Sequence, residues 1–124
     1  MADRNYTHLI VWQKSMDLVE SLYRATANFP KDEWFGLRSQ MRRAVVSIPS
    51  NIAEGQGRNS RREFRRFLSI AHGSLRELET QIQISKRLGY LKAPECSMLE
   101  AQCAEVGKML KGLSNSLIRP FEDS

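Results

Sequence analysis

Hydrophobic positions in this chain recur at alternating steps of three and four through four successive blocks, and strand-like alternation is nearly absent. In the first block Trp12, Met16, Val19, Tyr23 and Thr26 share a face that Leu18 and Leu22 widen, which predicts a helix from about Leu9 to Asn28. Phe29-Pro30 ends it, because a residue before proline disfavours the helical region. Asp32 is the expected N-cap of the next segment. The second block, Leu37, Met41, Ala44, Val45, Ile48 and Ile52, predicts a helix from about Glu33 to Gly55, with a kink expected at Pro49. Gly55 or Gly57 is expected to take the left-handed conformation that closes it. Ser60 and Glu63 have the spacing of a reciprocal capping box. They open a third block, from about Arg61 to Leu88, whose seam is Phe64, Leu68, Ala71, Leu75, Leu78, Ile82 and Ser85. Gly89 is its expected closing glycine. The fourth helix begins near Pro94-Glu95 with a seam of Leu99, Cys103, Val106, Leu110, Leu113 and Leu117. Pro120 is expected to stop it, leaving 121–124 as a tail. Gly107 and Gly112 are read as places where helices approach closely.

Four amphipathic helices with short connectors predict an all-α, antiparallel up-down-up-down four-helix bundle. At 124 residues the chain is expected to form one domain, 1–124. Phe67, Ile70, Ile84 and Leu88 fall outside the seam of the third helix, so more than one of its faces calls for cover. No apolar run approaches the roughly 20 residues that span a bilayer. The opening residues lack the apolar core and small-residue cleavage site of a secretory signal. The expectation is a cytoplasmic protein with no membrane partner.

Charge changes this picture most. The stretch 36–66 carries eight arginines, Arg38, Arg42, Arg43, Arg58, Arg61, Arg62, Arg65 and Arg66, opposed by Glu54 and Glu63. That is +6 against +5 for the whole chain, so the remainder sums to −1. Local positive charge of this kind is the footprint of a polyanion site. The guanidinium fork suits phosphate, and a helix opening at Ser60 adds backbone N–H groups. The bland readings are a solvated face, or ion pairs with Glu54, Glu77 or Glu79 within or between subunits. A polar stripe of Arg43, Ser47, Ser50, Asn51 and Glu54 runs beside the apolar face of the second helix. The favoured reading is a structural network that fixes helix register. The aromatics, Trp12, Tyr23, Trp34, Phe35, Phe64 and Phe67, read as core or subunit packing rather than a stacking platform. Binding would therefore depend on charge and shape.

Catalytic chemistry finds little support. Cys96 and Cys103 are seven residues apart on one helix, roughly 10 Å, too far for a disulfide, and read as small apolar residues. His8 and His72 lack ligand-spaced neighbours, so no metal site and no cofactor are expected. Glu77 and Glu79 point to different sides of their helix, and no nucleophile motif accompanies Asn51 and Glu54.

The segments VWQKSMDLVESLY, FGLRSQMRRAVVSIPSNIAEGQGR and EFRRFLSIAHGSLRELETQI resemble the proteins encoded in intervening sequences of bacterial 23S ribosomal RNA genes, often labelled S23-type ribosomal proteins. The resemblance spans about Leu9 to Leu117 and is most specific over 47–55 and 73–79. It implies a four-helix bundle assembled as a ring-like homopentamer, but no catalytic residues. The accessory proteins of diversity-generating retroelements are similar in architecture, and they are pentameric, basic and associated with nucleic acid. The combined expectation is a non-enzymatic homo-oligomer, pentameric by resemblance, that binds RNA or DNA backbone through its arginines. The alternative is a scaffold oligomer for protein–protein interaction whose arginines serve subunit contacts.

Overall fold

A computed structural model describes residues 5–118. Within them the chain forms α1 (Ile10–Ala25), α2 (Leu37–Gln56), α3 (Arg61–Arg87) and α4 (Ala93–Ser116), with short 3-10 turns at Asn5–His8 and Lys31–Glu33. The expectations for Pro120 and the tail lie outside the described residues. Each helix packs closely on two neighbours, in the cycle α1–α2–α3–α4–α1, and the backbones of diagonal pairs stay apart. With connections as short as 57–60 and 88–92, sequential helices run antiparallel. Among the described residues there is no strand, and no helix is long and apolar enough to cross a membrane.

The seams of α2, α3 and α4 fall on the core as expected. Met41, Val45, Ile48, Ile52, Leu68, Leu75, Leu78, Ile82, Leu99 and Cys103 are fully buried. The seam of α1 is rotated from its expected position. Val11, Ser15, Leu18, Leu22 and Thr26 face the core, whereas Met16 and Tyr23 are exposed and Trp12 and Val19 sit at the shoulder. Two hydroxyls make this possible by bonding back into their own helix. Ser15 Oγ donates to the Trp12 carbonyl at 2.8 Å, and Thr26 Oγ1 donates to the Leu22 carbonyl at 2.9 Å. A satisfied hydroxyl can be buried at little cost.

Helix ends explain the bundle's corners. The first turn of α2 is capped by Glu33 rather than Asp32: Glu33 Oε1 accepts from the Leu37 N–H at 3.1 Å, and Glu33 Oε2 accepts from Tyr90 O–H at 3.1 Å. This bond raises the Tyr90 phenol above its ordinary range. Pro49 lies buried inside a continuous α2. The left-handed residue of the α2–α3 connection is Asn59 (φ 56°), not Gly55 or Gly57. Asparagine tolerates that region, and Gly55 has another role. A Cβ at Gly55 would lie 2.6 Å from Phe67 Cβ and 3.1 Å from Phe64 Cδ1, so glycine lets α2 and α3 touch there. Gly107 likewise faces Leu75, while Gly112 has nothing within reach and marks no close approach. Gly89 does close α3, at φ 80°, with Tyr90 N–H reaching the Ser85 carbonyl at 2.9 Å and Gly89 N–H reaching Lys86 at 3.1 Å.

Gly55→Ala is expected to force the helices apart. Overpacking of about 1–3 kcal/mol outweighs alanine's helix-propensity gain of up to about 1 kcal/mol. A lower urea midpoint is the result to look for.

Cys96 and Cys103 are both buried and unpaired by disulfide. Burial pushes the Cys103 thiol up to about 12. Among the described residues no cluster of side chains could hold a metal ion.

Candidate nucleic-acid interface

The connection 57–60 is tight because Gly55 sits against Phe67, and this closeness gathers arginines from two helices. Arg58 follows α2, and Arg61, Arg62, Arg65 and Arg66 occupy the first turns of α3. Glu54 and Glu63 lie among them and pair with Arg58 and Arg66. Arg58 and Arg66 flank one ring, their guanidinium carbons 5.0 and 4.6 Å from the Phe67 centroid. Arg58 Nη2 donates to Glu54 Oε2 at 3.0 Å, and Arg66 grips Glu63 through Nε and Nη2, each at 3.2 Å. Arg62 is exposed and pairs with no carboxylate among the described residues. Arg61 is exposed and Arg65 half-buried, and each makes further contacts.

The start of α3 is half a capping box. Ser60 Oγ accepts from the Glu63 N–H at 3.2 Å, as expected. The Glu63 carboxylate, however, goes to Arg66 instead of returning to Ser60. That hydrogen bond, helped by nearby Arg58 and Arg62, holds the Glu63 carboxyl below its usual range. It raises Arg66 in turn. A depressed carboxylate contributes stability above its unfolded-state pKa and loses it as pH falls through the lower folded-state value. The pair therefore persists at neutral pH. Glu63 also competes with any anion for Arg66. Glu63→Gln is expected to tighten polyanion binding a few-fold at low salt, measured by fluorescence anisotropy.

The eight arginines do not form one surface. At about 1.5 Å per residue, Arg38 and Glu54 stand roughly 24 Å apart along α2. Arg38, Arg42 and Arg43 are at the opposite end of the bundle, where α1 ends and α2 begins. Arg42 is committed to the fold there: Nε donates to Thr26 Oγ1 at 3.0 Å, Nη2 donates to the Tyr23 carbonyl at 3.1 Å, and the guanidinium stacks 4.3 Å from the Tyr23 ring. This neutralises the carbonyl end of α1. Arg38 lies 4.5 Å over the Trp34 ring, and Arg43 is exposed.

The polar stripe of α2 is mostly internal scaffolding. The Ser47 and Ser74 hydroxyls hydrogen-bond across α2 and α3. Asn51 Nδ2 donates to the Ser47 carbonyl at 2.8 Å and to Ser47 Oγ at 3.2 Å. Ser50 bonds back to the Val46 carbonyl, and Glu54 belongs to the arginine joint. Residues around 73–74 and 47–51 therefore fix the register of the two helices.

The family model for the 23S rRNA-intervening sequence protein matches residues 7–112. The chain belongs to that family. A solved structure of a protein of unknown function, from the S23 ribosomal protein family of Bacteroides thetaiotaomicron VPI-5482, is similar at a TM-score of 0.76. It is 24% identical, and the match covers 85% of this chain and 98% of that one. That likeness carries the four-helix fold. No curated protein matches the chain. The family match takes in both arginine clusters and the Ser47–Ser74 contact.

Sequence reasoning for this family member missed two surfaces. One is a groove of about 550 Å³ between α3 and α4, lined in part by His72, Arg76 and Lys111. Its charges come from separate helices and form no run in sequence, and Glu79 is taken up by Arg76 at 2.7 Å. The other is the aromatic set at the α1–α2 corner. Phe35 is 95% exposed there, and Trp34 and Tyr23 are exposed beside it. The signal was the position of Trp34-Phe35 just before Gly36. Residues 34–36 precede α2 and so belong to no helical stripe.

Proposed function

We propose that this protein is a non-enzymatic, self-assembling four-helix bundle that holds the phosphate backbone of RNA or DNA on the arginines of the α2–α3 joint. One observation carries the reading: Arg58, Arg62 and Arg66 stand exposed together at the α2–α3 joint, two of them held over the Phe67 ring. The two ion pairs there, Arg58–Glu54 and Arg66–Glu63, have exposed partners, so a phosphate can replace the carboxylate with little loss. Stacking on Phe67 holds both guanidiniums in place before a ligand arrives. The family's name makes structured RNA the first ligand to try. Anisotropy at low salt with a labelled RNA hairpin tests the reading, and absence of binding sinks it.

Assembly into a homopentamer follows from the family resemblance. It is supported by the second apolar face of α3, where Ile70 (41%), Ile84 (42%) and Leu88 (54%) are exposed. A ring would multiply a weak patch through avidity. This same face favours the second reading, a scaffold oligomer that uses its arginines between subunits. Light scattering separates the two, because replacing the joint arginines with alanine breaks the assembly only under the scaffold reading. We place the protein in the cytoplasm, where Cys96 and Cys103 would stay reduced.

A further inference from the structure

The α1–α2 corner combines two features not found together elsewhere among the described residues. It is an open groove of about 410 Å³, and its walls include Tyr23, Trp34, Phe35, Arg38, Arg42 and Arg43, with no acidic residue among them. The turn before α2 is rigidly built. Trp34 Nε1 donates to the Phe29 carbonyl at 3.0 Å, and Phe29 is buried and packs on the Tyr90 ring at 5.3 Å. On that turn the Glu33 carboxylate is occupied by the Leu37 N–H and Tyr90 O–H. Phe35 is thus held outward on a fixed support, with nearly all of its ring in water.

We propose that this corner is a second binding site, which takes an unpaired base of a single-stranded nucleic acid against the Phe35 ring and the flanking phosphates on Arg38 and Arg43. Charge decides between occupants. A protein partner would have to bring carboxylates for Arg38 and Arg43 as well as an apolar surface for Phe35. A single strand brings both features in every nucleotide, a planar face and a phosphate. Aromatic rings alternating with guanidiniums in an open basic groove are the means by which single strands are held without regard to sequence. Arg38 on Trp34 and Arg42 on Tyr23 also present flat guanidinium faces on which a base can stack. The corner stands independently of the α2–α3 joint, since it shares none of its residues.

The test uses the full chain and three probes: a short unstructured oligoribonucleotide, the same sequence as a duplex, and inorganic polyphosphate, which has charge but no bases. Phe35→Ala should weaken single-strand binding by about tenfold and leave polyphosphate binding unchanged. Phe35→Tyr, which keeps the ring, should bind the single strand as the parent does. Arg43→Ala should weaken both single strand and polyphosphate. Joint variants at Arg58, Arg62 and Arg66 should weaken all three probes, so failure at the joint and failure at the corner are read separately. Unchanged single-strand binding in Phe35→Ala overturns the proposal. So does a fall in assembled mass for that variant by light scattering, which would make a second copy of the chain the occupant.

Discussion

Replacing Arg58, Arg62 and Arg66 together with alanine is expected to lower affinity for structured RNA on the order of 10²-fold at low salt. The three are exposed, and their removal leaves the core seams intact. Two of them now hold carboxylates at 3.0–3.2 Å, which shows that their geometry suits an anionic oxygen. Arg58 and Arg66 also cover the Phe67 ring, so a lysine control is informative. Lysine keeps the charge but loses the planar fork and the stacking. Partial recovery with lysine assigns the loss to charge plus geometry; full recovery assigns it to charge alone. A circular dichroism spectrum matching the parent's confirms that the loss is local to the joint.

Leu75→Ala is expected to destabilise the bundle by about 2–5 kcal/mol. Leu75 is completely buried midway along α3, and its Cδ2 approaches the point where a Gly107 Cβ would sit to 3.2 Å. The side chain fills the space that the missing Cβ of Gly107 leaves open. Truncation opens a cavity between two helices already joined by short connections, so the backbone has little freedom to collapse into it. Chemical denaturation should show a large fall in midpoint with an unchanged slope. Leu88→Ala is the contrast. At 54% exposure its effect on monomer stability should stay within about 0.5 kcal/mol. Any larger change that depends on protein concentration would place Leu88 in a subunit contact.

The residues themselves mark which parts of this architecture were legible. The seams of α3 and α4 could be read directly because nearly every seam position is aliphatic. The seam of α1 was legible only in part: Leu18, Leu22 and Thr26 are buried as their pattern suggests, but Ser15 looks like a surface residue and becomes a core residue only by returning its hydroxyl hydrogen to the Trp12 carbonyl. Tyr23 looks like core but lies exposed under Arg42. The arginine run was visible as a run. Its division into two clusters depends on α2 extending to Gln56, which places Arg38 and Arg58 at opposite ends. Arg42 had no sequence signal for its role, since Thr26 and Tyr23 reach it only after α1 and α2 pack. The function of Gly55 was also hidden. A glycine near a helix end suggests a turn, and only the approach of Phe67 shows that it is there for packing.

The slope of log affinity against log salt concentration for a structured RNA tests the central claim most directly. Each phosphate neutralised contributes roughly 0.9 to that slope on a duplex. The parent protein should show a steep negative slope, and the Arg58, Arg62 and Arg66 triple variant a slope shallower by about 2–3. Equal slopes for the two proteins, or salt-independent binding by the parent, would contradict phosphate contact at the α2–α3 joint.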